Sequence, residues 1–163
     1  MHLSFFIKYH MLKAMQKING FTLMELLVVM VIASTLTLTA IDGWQQWQHR
    51  QRLNTSARQL QHFLLRLRNE ANWHNQRALL WQQHGEVWCV GSGPFPSACS
   101  VQRRVFVAPW PEVRLIRLTE GMGFYGRRNV AKPGRIVIAS EAGERHIIVS
   151  SRARVRICEA SCL

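Results

Sequence analysis

The stretch FTLMELLVVMVIASTLTLTAI, residues 21–41, decides the fold of this 163-residue chain, because Glu25 is the only charged residue in it. As a helix it would be about 30 Å long, the thickness of the hydrocarbon core of a bilayer. Residues 1–20 contain three lysines and no acid, which favours keeping that end in the cytoplasm. The stretch therefore predicts a transmembrane helix that places the rest of the chain on the exterior or periplasmic side.

Glu25 is unexpected in such a stretch, because an unpaired carboxylate in hydrocarbon costs several kcal/mol. An ordinary secretory signal is disfavoured, since no small-residue cleavage site follows the apolar run. A glycine, Gly20, instead stands directly before Phe21. The apolar run therefore calls for an explanation in which Glu25 finds a partner.

The sequence INGFTLMELLV, residues 18–28, resembles the processing site of the type IV pilins. The resemblance implies that prepilin peptidase/methyltransferase cuts between Gly20 and Phe21, that Phe21 is N-methylated, and that the helix stays on the mature chain in the inner membrane. It also implies that Glu25 pairs with the cationic N-terminus of a neighbouring subunit in a filament. The implied partners are that enzyme, other minor and major pilins, and the inner-membrane assembly platform. The alternative is a plain membrane anchor with an incidental glutamate.

Residues 1–20 are then a leader that is removed, although the first residues of this stretch are unlike such a leader. We expect the true start at Met15 or Met11, because the leader MQKING is a common form in that family.

Residues 42–75 are predicted to continue the helix to about His74. Trp44 and Trp47 suit a membrane–water boundary, and Gly43 is a possible point of bending. Further on, apolar residues recur at steps of four and three, which indicates an amphipathic helix with one buried face. These residues are Leu53, Ala57, Leu60, Leu64, Leu67 and Ala71, and Phe63 widens the stripe. Packing beneath a sheet is favoured over a free coiled coil.

Residues 76–163 are predicted to form a β-rich periplasmic head. The predicted strands are 86–90, 103–108, 113–118, 121–125, 135–139, 144–150 and 152–158. The fold class is α+β: a pilin-like lollipop, with a long helix packed on an antiparallel β-sheet domain. The extent of the β region resembles the minor pilins of the H-type pseudopilin and T-type fimbrial group. That resemblance implies a subunit that helps to initiate or cap assembly of a pilus or a type II secretion pseudopilus.

The four cysteines all follow the apolar helix, and their compartment favours disulfides. Three pairings are possible. We prefer Cys89–Cys99, which closes a Gly/Pro/Ser loop, and Cys158–Cys162, which holds the C-terminus. Zinc binding is disfavoured, because no CxxC pair is present.

The sequence predicts neither an enzyme nor a cofactor or metal site. It lacks a Gly-x-Ser-x-Gly elbow, a phosphate loop and an HExxH pair. His49, His62 and His74 are too far apart in sequence to form an i, i+4 metal site on the helix, so we expect them to be solvated.

The charge of the chain raises a second hypothesis. Lysine and arginine number 21 against 9 acids, which gives a formal net charge of +12 and suggests an anionic partner. The predicted strand at 152–158 alternates Arg152, Arg154 and Arg156 with apolar residues, so the three guanidinium groups would share one face, about 6.6 Å apart. Such a row can contact successive phosphates of DNA. DNA-binding minor pilins carry a similar Gly-Arg-x-Arg motif. The alternative is a charged, solvated edge that prevents aggregation.

Overall fold

The computed structural model describes residues 22–85, 87–96, 98–126 and 130–159, without the side chains of residues 38–42. The chain divides into two compact units, Met1–Asp42 and Gly43–Leu163. The boundary falls within helix α1, Leu23–His74, which has 52 residues.

In the first unit, α1 begins with a cap formed by Thr22. The hydroxyl of Thr22 accepts a hydrogen bond from the backbone N–H of Glu25 at 3.3 Å. The carbonyl of Thr22 accepts another from the backbone N–H of Leu26 at 3.1 Å. Threonine followed three residues later by glutamate is the sequence of a capping box, which explains why the helix starts here.

In the second unit, the remaining part of α1 buries the stripe predicted from the sequence. Leu53, Leu60 and Leu64 are fully buried, and Phe63 is 1% exposed. This face packs into a common core with the sheet residues, so it does not form a free coiled coil. At the end of the helix, Asn75 has a φ of 50°, and the N–H of Gln76 bonds the carbonyl of Ala71 at 3.1 Å. This left-handed cap ends α1 at the predicted place.

Nine strands in the described part of the second unit form two antiparallel sheets. The strands are β1 (Ala78–Gln83), β2 (Cys89–Ser92), β3 (Val105–Val107), β4 (Arg114–Leu118), β5 (Gly123–Phe124), β6 (Ala131–Lys132), β7 (Gly134–Ser140), β8 (Gly143–Val149) and β9 (Val155–Cys158). One sheet has the order β3-β2-β1-β5-β6, and the other has the order β4-β7-β8-β9. The predicted α+β fold class, with a helix followed by antiparallel sheets, is confirmed.

The predicted strands differ from the observed ones at both ends of the head. The sequence assigned no strand to β1 or β6. β1 joins β2 to β5 in the middle of the five-stranded sheet, and β6 pairs with β5 at its edge. β1 follows the helix after only three residues and reads ALLWQQ, a composition without β-branched residues. Its strand conformation is set by its pairing partners and not by its own sequence.

The last predicted strand, 152–158, is too long, because β9 begins at Val155. Residues 150–154 form a turn in which the N–H of Ala153 bonds the carbonyl of Ser150 at 2.9 Å. Ala153 has a φ of 56°, a left-handed conformation that an alanine rarely adopts. Arg152 therefore lies in a turn and not on the strand with Arg156.

Two polar side chains of the helix bond backbone groups at the outer edge of β9 and in the turn before it. Gln61 donates to the carbonyl of Val155, and Arg68 donates to the carbonyl of Ala153, each at 3.3 Å. Since β9 is an edge strand, these bonds satisfy backbone groups that would otherwise invite pairing with another chain. They also fix the helix against the four-stranded sheet.

Candidate functional site

The first turns of α1 present apolar side chains on every side. Ten large apolar residues between Leu23 and Leu36 are each at least 47% exposed, and Leu23 itself is 82% exposed. A helix that is apolar all round belongs inside a membrane or a larger protein assembly. The exposed apolar side chains make this segment the main candidate for an interaction site.

The hydroxyl groups on this segment are satisfied by the helix itself. Ser34 and Thr37 donate to the carbonyls of the residues four positions earlier, each at 2.7 Å. Thr35 donates to the carbonyl of Ile32 at 2.9 Å. These bonds lower the cost of placing the hydroxyls in apolar surroundings, where no water would be available to them.

Glu25 lies in the first turn of α1, exposed to solvent. A carboxylate is favoured at this end of a helix, because the free backbone N–H groups give it a partial positive charge. The predicted cleavage residues Gly20 and Phe21 lie outside the described residues. The local structure therefore accounts for a charged Glu25 at the start of an apolar helix.

None of the helices in the described residues is long and apolar enough to cross a membrane. The predicted span, 21–41, includes Phe21 and the side chains of residues 38–41, which lie outside that description.

Residues 15–41 match the prokaryotic N-terminal methylation motif, the prepilin signal of type IV pilin-like proteins. The match includes Gly20, Phe21 and Glu25 and ends at residue 41, before the head. It supports a type IV pilin-like protein that prepilin peptidase processes. In two further comparisons, no curated protein and no solved structure matches the chain.

The head has an arginine-rich surface on the outer face of the four-stranded sheet. Arg135 of β7 and Arg156 of β9 both lie opposite Ile148 of β8, and residues paired in this way project from the same face. Arg117 of β4 pairs with Val137 on that face, and Arg114 pairs with Ala139. Of the acids, Glu144 is also there, opposite Ala139. We call Arg114, Arg117, Arg135, Arg154 and Arg156 the arginine face.

Arg154 joins the arginine face although it precedes β9. Its carbonyl accepts a hydrogen bond from the N–H of Ser150 at 3.0 Å, which extends the ladder between β8 and β9. Arg154 and Arg156 are exposed, whereas Val155 between them is buried. Arg152 is exposed in the adjacent turn. The predicted alternation of exposed arginines and buried apolar residues is present. The regular spacing of arginines predicted for one long strand is not, because Arg152 lies in the turn before β9.

Cys89 and Cys99 form a disulfide bond, as we preferred from the sequence. Cys158 is also disulfide-bonded. Cys162 lies outside the described residues, so the Cys158–Cys162 pair stays a prediction. In the described parts of the chain, no cluster of three or more histidine, cysteine or acidic residues could hold a metal ion.

The three helix histidines have separate environments. His49 approaches Glu141 at 3.5 Å, and His74 ends the helix. His62 lines a groove of about 450 Å³ together with Gln59, Phe63, Arg66 and Phe106. Sequence reasoning missed this groove, because Phe106 comes to the helix only through the fold. The one signal was Phe63, which widens the apolar stripe and is itself buried in the core at one side of the groove.

Proposed function

We propose that this chain is a minor type IV pilin or pseudopilin that helps to initiate or cap assembly of a pilus or a type II secretion pseudopilus. The observation that carries the proposal is the methylation motif at residues 15–41, placed on a helix whose apolar side chains are exposed. The resemblance of the head to the H-type pseudopilin and T-type fimbrial group, and within it to prepilin peptidase-dependent protein A, supports the minor role.

The mechanism is assembly and not catalysis. Cleavage after Gly20 frees the α-amino group of Phe21, and N-methylation keeps that amine cationic. Residues 21–41 hold the subunit in the inner membrane, with the leader end cytoplasmic and the head periplasmic. As helices stack, the carboxylate of Glu25 meets the amine of a neighbouring subunit, and two charges that are costly in hydrocarbon neutralise each other.

Two features support the membrane step of this mechanism. The hydroxyls of Ser34 and Thr37 are satisfied within the helix, so they need no water. The Cys89–Cys99 bond fits the periplasm, an oxidising compartment, and not the cytoplasm.

A Glu25→Ala variant tests the assembly step. It should still be cleaved, but its amount in sheared filaments should fall on the order of ten-fold or more, because the partner amine loses its counter-charge. Immunoblots of the sheared fraction measure this loss. Glu120→Ala, which removes an exposed acid of the head, is the matched control. Normal incorporation of the Glu25 variant contradicts the proposed role of Glu25.

The arginine face favours a second candidate, a minor pilin that binds DNA for uptake. Arg154 and Arg156 are exposed and lie close together on the chain. Arg135 is on β7, two strands away from β9, and the usual strand spacing puts these two strands about 9.6 Å apart. Several guanidinium groups at such spacing can contact successive phosphates without reading sequence.

The double variant Arg154→Glu/Arg156→Glu separates this candidate from the first. Filament assembly should be unchanged, whereas the affinity of the full chain for duplex DNA should fall by about ten-fold or more, with a smaller salt dependence. The control is Arg50→Glu/Arg58→Glu, which makes the same charge change at exposed positions of α1. Equal DNA binding by the two double variants rejects DNA binding through the arginine face.

A further inference from the structure

We propose that the groove between α1 and β3 binds an acidic, extended segment of another protein, which adds to the free edge of β3. The sequence did not predict the groove, and the inference does not depend on the processing site. Three observations lead to it: the edge position of β3, the aromatic lining of the groove and the charge around it.

β3 lies at one end of the five-stranded sheet, where β2 is its neighbouring strand, and an isolated bridge joins Val105 to Gln102 three residues earlier. The N–H of Ser92 bonds the carbonyl of Arg104, and the N–H of Ala108 bonds the carbonyl of Trp88. Because polar backbone groups alternate along an antiparallel strand, residues 104, 106 and 108 face β2, and Val105 and Val107 face outward. The N–H of Val105 is used by a bond to Gln102 at 3.2 Å. Val107 is therefore the residue that can exchange two backbone bonds with an added strand.

Two aromatic residues, Phe63 and Phe106, line the groove beside this edge, and Phe63 is 1% exposed, so the partly buried ring of Phe106 is the one open to a partner. Phe106 lies with its ring centroid 5.9 Å from that of Phe63 and 5.7 Å from that of Trp88. The groove has a volume of about 450 Å³, within the usual range for ligand pockets of about 300–1,000 Å³. Phe106 projects to the helix side of the sheet, so the neighbouring residue of an added strand would project into the groove beside it.

The charge of the lining determines the chemistry of the partner. Arg66 lies over the ring of Phe63, with its guanidinium carbon 5.9 Å from the ring centroid, and His62 adjoins it. The described groove residues comprise these two basic side chains and no carboxylate. By contrast, β4, one of the two edge strands of the other sheet, carries a bulge between Leu115 and Arg117, a feature that discourages pairing. An acidic strand with one large apolar side chain fits the groove at β3 and not the edge at β4.

The test uses the full chain in detergent micelles and two labelled peptides, Glu-Val-Phe-Val-Glu and Lys-Val-Phe-Val-Lys. Fluorescence anisotropy should show at least ten-fold tighter binding of the acidic peptide, weakened by salt. Hydrogen exchange should show new protection at Val107. Equal binding of the two peptides, binding of neither, or protection elsewhere in the head would overturn the proposal.

Two variants with matched controls identify the contacts. Val107→Pro removes the outward N–H and should abolish binding, whereas Val101→Pro, in an exposed loop, should not. Arg66→Glu should lower the affinity for the acidic peptide at least ten-fold, whereas Arg58→Glu, on the same helix, should have little effect on it. Arg66 is exposed, so this second pair remains informative if Val107→Pro fails to fold. Self-association of the chain that Val107→Pro removes, without peptide binding, would overturn the acidic partner in favour of a second copy.

Discussion

At the scale of single residues, Trp88 gives the head its most sharply defined buried hydrogen bond. Its indole N–H donates to the carbonyl of Val113 at 2.6 Å, and the side chain is almost fully buried. We predict that Trp88→Phe lowers the free energy of unfolding by about 1–3 kcal/mol, because the buried carbonyl of Val113 loses its donor. Urea unfolding of the full chain, followed by circular dichroism, measures the change.

The matched control is Trp73→Phe, since Trp73 is 86% exposed. It should change the free energy of unfolding by less than about 0.5 kcal/mol. Equal unfolding midpoints for the two variants would show that the bond between Trp88 and Val113 does not stabilise the head.

Single residues also show which features could not be predicted from the sequence. The arginines of the last predicted strand are exposed as expected, yet Arg152 lies in a turn because Ala153 adopts a left-handed conformation. A glycine or an asparagine in the sequence would indicate such a conformation, whereas an alanine does not. The arginine face itself could not be derived from the sequence, because Arg117, Arg135 and Arg156 meet only through strand register.

At the scale of elements, Asn75 tests the end of the helix. Its φ of 50° is left-handed, so a glycine should fit at least as well and a β-branched residue should not. We predict that Asn75→Val lowers the free energy of unfolding by about 1–2 kcal/mol, whereas Asn75→Gly leaves it equal or higher. Thermal unfolding gives the order of the variants. The control is Gln76→Val, at the next exposed position. If the Asn75→Val chain is as stable as this control, the left-handed cap at Asn75 does not stabilise the end of α1.

The disulfide loop gives a second prediction for an element. Cys89 and Cys99 are ten residues apart, and their bond restricts the unfolded chain. Replacing both with alanine should lower the free energy of unfolding by about 2–3 kcal/mol. Urea midpoints of the oxidised chain and the double variant provide the measurement, and identical midpoints would mean that this bond adds no stability.

The elements differ in how far the sequence predicted them. The second part of α1 was predictable, since apolar residues at steps of three and four indicate one buried face. The strands β7 and β8 were found because each contains a run of three β-branched residues and a clear turn at Ala142 and Gly143 separates them. β1 was missed because its six residues carry no strand signal, and only long-range pairing makes them one.

At the scale of the whole molecule, we propose that an apolar helix is processed at one end of the chain and then assembled with others like it. The match at residues 15–41 supports this processing, while the groove and the arginine face concern the head. The motif was readable in the sequence because cleavage and pairing require particular residues at fixed spacing. The groove could not be predicted from the sequence, because its two sides, Phe63 of α1 and Phe106 of β3, are about forty residues apart in the chain.

The most direct test is N-terminal sequencing, with mass spectrometry, of the protein extracted from membranes that contain prepilin peptidase. The account predicts a chain that begins at N-methylated Phe21. A Gly20→Glu variant should retain its leader, and Gly43→Ala, which changes a glycine with open space around it, should be processed normally. A mature chain that begins at any other residue, or normal cleavage of the Gly20 variant, would contradict the central claim.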